Sequence, residues 1–308
     1  MILRLTNLVE NKEALGRCLR LFFLSLCLLL TFSCTSAKRE FLLAERMDDD
    51  FLPYNIELED LYPGISYGTF TNSHLPLIYH LVRIDLSLPG LELCCYPEGD
   101  SFAKDQFFKG LFTSDFARKN NCLVAINASP FDTPLNLSFE KLFSRRKNAG
   151  LLIAGQRLLA SPREKYAALL FFREDSSSGQ GGWSASVLES QSLGASGDAV
   201  YGFGGFFSVL KDGVVRSFSH TSYDSRCGAG VDGSGRILYI LVAEGEKKSL
   251  SGGLSYEECG KIFAFLGCDD ALEFDGGSST SLCIGGRSVL SFKNLVRQGS
   301  QLGFCIRD

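Results

Sequence analysis

Apolar and polar positions recur along the chain at two spacings, and strand spacing dominates. "HLPLIYHLVRIDLSL" alternates apolar with polar residues, and "LELCCYP" follows as a second strand. "CLVAINASPFD" reads as a buried strand running into a loop. "AGLLIAGQRLL" places Gly155 between two apolar runs, a hairpin, and the strand "YAALLFF" comes next. "GFFSVLKDGVV" predicts a hairpin around Asp212-Gly213. "SRCGAGVDGSGRILYILVAEG" predicts two strands joined by a turn that holds Asp232, with Glu244 ending the second. Helical spacing occurs in "QFFKGLFTSDFARKN" and "SYEECGKIFAFLGC". The latter has Ser255 as N-cap, Glu258 in capping-box position and Gly267 as a stop. "DALEF", "SVLSF" and "LGFCI" are the closing strands. Arg173 to Asp198 has the composition of a loop or flexible insertion that Trp183 and Val187-Leu188 can anchor. No internal repeat occurs. The pattern predicts an α+β fold of mixed β-sheets with a few packed helices, in a single domain over 61–308.

Composition narrows the class. With 308 residues, 45% hydrophobic, the chain has apolar material for one sizeable core or two modest ones. Its net charge is −4, and no basic block exceeds Arg145-Arg146-Lys147, so nucleic acid is excluded as a partner.

At the N-terminus, Lys12, Arg17 and Arg20 precede "LFFLSLCLLLTFSC", an apolar run shorter than the roughly 20 residues a membrane-spanning helix needs. The expectation is a signal peptide over 1–33. The Ser33-Cys34 end resembles a bacterial lipoprotein signal, which implies a lipid on Cys34 and attachment to a membrane on the exported side of the cell envelope. Phe32 is bulkier than that pattern usually carries, so an ordinary cleaved signal and a retained anchor stand as alternatives. Residues 34–60 read as a tether. Export permits one or two disulfides among the eight later cysteines. With no CxxC pair and three histidines, the spacing argues against a zinc site.

The candidate chemistry centres on "ALEFDGGSSTSLCIGG". Asp275 sits just past a strand end, where an apolar scaffold can hold a carboxylate at a cleft. Gly276 and Gly277 allow close backbone approach, and Ser278, Ser279, Thr280 and Ser281 with nearby N–H groups suit an anionic or sugar ligand. The bland alternative is an Asp-Gly turn. The spacing is wrong for a phosphate P-loop, and an aspartic-protease reading lacks an equivalent second loop.

The C-terminal part resembles the phosphodiester glycosidase family. Its signature, approximately N-L-D-G-G-G-S-S-T, aligns without a gap to "EFDGGSSTS". Its R-T-A-I-G segment and two strands resemble the stretch starting at Arg226, and its strand-end acid and glycine correspond to Glu244-Gly245. Its next helix resembles "GGLSYEECGKIFAFLGCDDA", and its I-N-G-G-F-F strand end resembles "AINASPF". The likeness covers about residues 120–308. This chain departs from the pattern at Ala128-Ser129-Pro130, Cys227, Glu244 and Ser278.

The resemblance implies an exported hydrolase of a sugar-1-phosphodiester, N-acetylglucosamine-like, in an envelope glycan or glycolipid. Arg226 suits a phosphodiester because its guanidinium fork is planar and always charged; the alternative is an ion pair with Asp224. Asp275 is the first catalytic candidate. Glycoside cleavage ordinarily takes two carboxyls, and both Glu244 and Glu273 are candidates for the second. Asn127 and Gly205 are candidate pocket residues, the latter alternatively a bulge. A divalent cation fits an acidic loop, but nothing in the sequence demands one. The competing hypothesis is an envelope carbohydrate-binding or assembly lipoprotein that has lost turnover.

Overall fold

The computed structural model of the chain describes residues 50–54, 56–72, 74–98, 107–133, 145–174, 182–292 and 296–307. The signal-peptide segment and Cys34 lie outside them. Phe51–Asp308 forms one compact unit.

In chain order the strands and helices begin with β1 (Glu59–Tyr62), β2 (Ile65–Asn72), β3 (Leu77–Asp85), β4 (Leu91–Tyr96), β5 (Phe108–Lys109), α1 (Thr113–Lys119), β6 (Val124–Asn127), β7 (Phe131–Asp132) and β8 (Arg145–Asn148). They continue with β9 (Leu152–Ala154), β10 (Arg157–Ala160), β11 (Ala168–Arg173), β12 (Trp183–Leu188), α2 (Leu193–Ser196), β13 (Tyr201–Gly204), β14 (Ser208–Lys211) and β15 (Val214–Val215). The last are β16 (Arg226–Val231), β17 (Ile237–Ala243), α3 (Tyr256–Phe265), β18 (Asp270–Glu273), β19 (Leu282–Ile284), β20 (Arg287–Ser288) and β21 (Gln301–Ile306).

An eight-stranded sheet runs β1-β2-β3-β17-β16-β18-β14-β15. Two five-stranded sheets run β10-β9-β13-β11-β12 and β20-β19-β6-β21-β4, and a three-stranded sheet runs β5-β8-β7. The described pairings within these sheets are antiparallel. The α+β expectation is met, with strands far outweighing the three short helices among the described residues.

Period-2 alternation explains the layering. On β17, Leu238, Ile240 and Val242 join the main core, which also holds Phe171, Trp183 and Phe203 from one five-stranded sheet and Val124, Leu282 and Phe304 from the other. Leu241 and Ala243 point the opposite way, into a second core with Tyr79, Leu81 and the α3 residues Cys259, Ile262 and Phe263. A strand buried on both faces reads as an unbroken apolar run, as "ILYILVA" does. Helix α3 seats closely because β16 offers glycines on that side: a Cβ on Gly230 would lie 2.5 Å from the Phe263 ring. Its capping box is formed, with Glu258 N–H donating to Ser255 Oγ (3.2 Å) and Ser255 N–H to Glu258 Oε2 (2.8 Å).

Three expectations change. The helix expected over "QFFKGLFTSDFARKN" covers only Thr113–Lys119, and Phe108–Lys109 pairs with β8 as a short strand. Trp183–Leu188 lies inside the expected loop but forms a six-residue ladder with β11. "SVLSF" is not a strand beyond Ser288; instead β19 and β20 form a hairpin around Gly285-Gly286, and the chain then turns toward Glu244.

Candidate active site

The residues singled out by sequence gather at one end of β16, β17, β18 and β6. Cross-strand register decides which side chains share a face. Arg226 pairs with Ala243, and Gly228 pairs with Glu273. Arg226 and Glu273 therefore lie on the α3 side of the sheet. Val242 pairs with His80, so Glu244, in phase with Val242, emerges on the opposite side beside His80.

Arg226 is buried. Its Nε donates to Leu254 O (2.9 Å) and its Nη2 to Ser222 O (2.5 Å), and its guanidinium carbon lies 3.9 Å from the centre of the Tyr256 ring. This seat combines carbonyl acceptors with a cation–π contact, a strong fixing of position. Its alternative partner, Asp224, instead accepts from Ser225 N–H (2.8 Å). The charge that Arg226 faces is that of Glu273.

Glu273 is completely buried, and neither carboxylate oxygen has a hydrogen-bond partner within ordinary distance among the described residues. Burial pushes its carboxyl up to about 7, opposed by Arg226 and by the weak thiol donor Cys259. Space for it comes from Gly228: a Cβ there would lie 2.9 Å from Glu273 Oε1.

Asp275 follows one pair beyond. Phe274 N–H donates to Cys227 O (2.7 Å), extending the ladder by one residue before Asp275. The chain then leaves the sheet, with Asp275 N–H bonded to Ala128 O (3.0 Å) and Gly277 N–H to Ser225 O (2.9 Å). Burial raises the Asp275 carboxyl to about 6, moderated by the Ser279 hydroxyl and the Gly276 N–H. Gly276 packs directly on the start of β16, where a Cβ would lie 2.8 Å from Ser225 O. Gly277 has φ +57, the left-handed region, and opens a short 3₁₀ turn over Gly277–Ser279. Ser278 is exposed, whereas Ser279 and Thr280 are buried. The N–H groups of Ser279, Thr280 and Ser281 are used inside the loop and its clamp.

That clamp is Asn127. Its Nδ2 donates to Asp275 O (2.6 Å) and its Oδ1 accepts from Ser281 N–H (2.8 Å), so one buried amide holds both ends of the loop. Gly205 abuts β18, since its Cβ would fall 2.4 Å from Glu273 O. The next residues, Phe206 and Phe207, exchange backbone hydrogen bonds with Glu273 at 2.7 and 2.9 Å.

Glu244 sits in a different network. His80 Nε2 donates to its Oε1 (3.0 Å), Ser291 N–H donates to the same oxygen (2.9 Å), and the Ser291 hydroxyl donates to Oε2. Tyr67 meets His80 Nδ1 at 2.9 Å. Burial alone would raise this carboxyl, but the donors outweigh it and hold it below its ordinary value.

Tyr256, Cys259, His80 and Ser291 are the functional neighbours that sequence reasoning missed. Tyr256 also begins a row of rings, with Phe218 and Phe207 at centroid distances of 5.2 and 5.6 Å, leading to the partly exposed Phe207. Two surface hollows, one bounded by Ile153 and Leu193 and the other by Asp232 and Asp269, lie away from these residues.

The sequence profile of the phosphodiester glycosidase family matches residues 120–301, a span that holds Asn127, Arg226, Glu273 and Asp275. The chain belongs to the phosphodiester glycosidase family. Solved structures agree in fold. A hypothetical protein from Synechocystis superposes with a TM-score of 0.60 at 16% identity, over 82% of this chain and 64% of that one. The zebrafish N-acetylglucosamine-1-phosphodiester alpha-N-acetylglucosaminidase catalytic domain, auto-inhibited by its pro-peptide, superposes with 0.57 at 16% identity, over 82% and 88%. A Burkholderia pseudomallei protein described as exported superposes with 0.56 at 14% identity, over 74% of each chain. No protein of curated function matches at sequence level. Among the described residues no helix is long and apolar enough to cross a membrane.

Proposed function

We propose that this phosphodiester glycosidase hydrolyses the bond between a sugar C1 and the oxygen of a phosphodiester, releasing free sugar and a phosphomonoester. The observation that carries the reading is the pair of raised carboxyls at the end of β18, Glu273 facing the anchored Arg226 guanidinium and Asp275 two residues on, at the loop. Arg226 compensates the phosphodiester charge. Asp275, at the loop, attacks C1 or activates the water that does. Glu273 shares a proton with the site and sets the charge that Arg226 presents. Carboxyls near neutrality suit acid–base work at pH 6–7. The phosphate leaves readily, so the demand on a general acid is lower than in an ordinary glycosidase.

Asn127 acts by positioning, because its amide holds the loop that carries Asp275. Glu244 acts by supporting the end of β17, its oxygens being engaged by His80 and Ser291. Ser278 is the exposed loop residue available to a sugar hydroxyl. Tyr256, Phe218 and Phe207 offer apolar ring faces against which the C–H face of a sugar can lie. A binding-only role gains nothing from a buried carboxylate without a hydrogen-bond partner, and such a group destabilises the fold when ionised; its retention supports turnover. An N-acetylglucosamine-like sugar and an envelope glycan or glycolipid remain the favoured substrate. The lipoprotein-like segment ending at Cys34 supports attachment to a membrane, which metabolic labelling with a fatty acid and its loss in Cys34→Ser tests.

Hydrolysis in ¹⁸O-labelled water tests the bond broken. With N-acetylglucosamine-1-phosphate esters as substrate, the label enters the sugar if C1–O is cleaved. Label in the phosphate, or no hydrolysis, contradicts the assignment.

A further inference from the structure

Away from the active site, a row of residues crosses three pairings of one five-stranded sheet on the face covered by α1. Cys283 pairs with Ala125, Ala125 with Gly303, and Gly303 with Cys94. Cys305, two residues along β21 from Gly303, faces the same way. Gly303 leaves a hole in this face. Cys122, delivered by the turn after α1, fills it: a Cβ on Gly303 would lie 2.5 Å from Cys122 Sγ.

Three buried sulfurs thereby converge from three separate elements. Cys94 Sγ and Cys305 Sγ are 3.0 Å apart, Cys305 Sγ and Cys122 Sγ are 3.5 Å apart, and all three lie within 4.8 Å of one another. One ion bound at about 2.3 Å to each sulfur holds them about 3.8 Å apart, so loading spreads the Cys94–Cys305 pair, now 3.0 Å apart, and the Cys305–Cys122 pair, now 3.5 Å apart. The surrounding wall is apolar at Phe116, Ala117 and Ala125, and the Arg307 guanidinium lies against Cys94, where it favours the thiolate form that a metal needs. Asn120 O, which accepts from Cys305 at 3.2 Å, supplies a neutral oxygen beside the trio. Sulfur donors in an apolar pocket select soft ions and reject hard ones such as Mg²⁺ and Ca²⁺. A disulfide uses two sulfurs and leaves the third idle; the convergence of three favours a metal.

We propose that Cys94, Cys122 and Cys305 form a binding site for one thiophilic d¹⁰ metal ion of the Cu(I), Zn(II) or Cd(II) type. No local motif marks it, because the three cysteines are scattered along the chain and none forms a CxxC pair. Binding exchanges thiol protons for the ion and ties β4, the α1–β6 turn and β21 together, so it stabilises the fold.

The full chain, reduced and freed of metal without oxygen, tests this with Cd(II), Zn(II) and Cu(I) each added alone. We expect one equivalent of at least one of these ions per chain in native mass spectrometry, and a thiolate-to-metal absorption band with Cd(II). Cys122→Ser should weaken binding at least 100-fold, and Cys283→Ser, in the same apolar cluster but outside the trio, should leave it unchanged. A readout independent of variants is alkylation: in the loaded wild type Cys94, Cys122 and Cys305 should be protected together. No stoichiometric uptake, undiminished binding by a folded Cys122→Ser protein, or a Cys94–Cys305 disulfide that blocks uptake in chain isolated without reductant overturns the proposal.

Discussion

Glu273 and Glu244 are both buried glutamates at the ends of β18 and β17, the two strands that flank β16, yet their surroundings drive their carboxyls in opposite directions. For Glu273 burial dominates, and its value rises from 4.5 to about 7. The protonated form is the one the fold accepts, so its contribution is complete below pH 4.5 and is lost as pH rises through 7. Glu273→Gln, neutral throughout, should match wild type near pH 4.5 and exceed it by about 3 kcal/mol above pH 7 in denaturant unfolding, while losing most turnover. For Glu244 the donors win, and its value falls. Its contribution is present above the ordinary carboxylate range and is lost as pH falls through the lowered value. Glu244→Gln should therefore cost about 2 kcal/mol at pH 7, a gap that narrows in acid. Which acid belongs with Arg226 was not legible in the sequence, because both end strands. The answer depends on face parity, set by pairings of β16 with β17 and β18 that no local pattern specifies.

At the scale of elements, local signals that agreed with tertiary packing were readable: the uninterrupted apolar run of β17, the Ser255 capping box, the Asp212-Gly213 hairpin and the strand leading to Asp275. Those that failed did so for identifiable reasons. In "WSASVL" the alternation Trp183, Ala185, Val187 points inward, but small polar residues between them gave it a loop's composition. In "SVLSF" the apolar content is real, yet Ser291 is turned to cap Glu244 and breaks the strand. The loop after β18 makes a sharper prediction. Gly276→Ala would place a methyl 2.8 Å from Ser225 O and displace the loop from Arg226, lowering kcat/KM at least 100-fold with a stability loss of about 1–3 kcal/mol. Asn127→Ala removes both clamps and leaves two buried backbone groups unpaired, about 2–4 kcal/mol in thermal or denaturant unfolding.

For the whole molecule, the main core between the sheets and the second core under α3 hold the ends of β16 and β18 in fixed register, so Arg226 and Glu273 rest on strands and Asp275 on a loop that Asn127 clamps. A pH–rate profile of kcat/KM should then show limbs near 6 and 7, following the two raised carboxyls, and Asp275→Asn should abolish the profile along with the activity. The family likeness was legible because its landmarks are contiguous motifs. The three-sulfur cluster was not, since it is assembled by sheet register and by the gap at Gly303.

The central claim is that Arg226 and Asp275 together serve glycosidic cleavage of a sugar-1-phosphodiester. The most direct test is the rate of free-sugar release from an N-acetylglucosamine-1-phosphodiester by wild type, Asp275→Asn and Arg226→Ala, each shown to be folded by its unfolding midpoint. The account predicts turnover by wild type and a loss of at least 1,000-fold in both variants. Absence of turnover in wild type, or rates unaffected by either substitution, would contradict it.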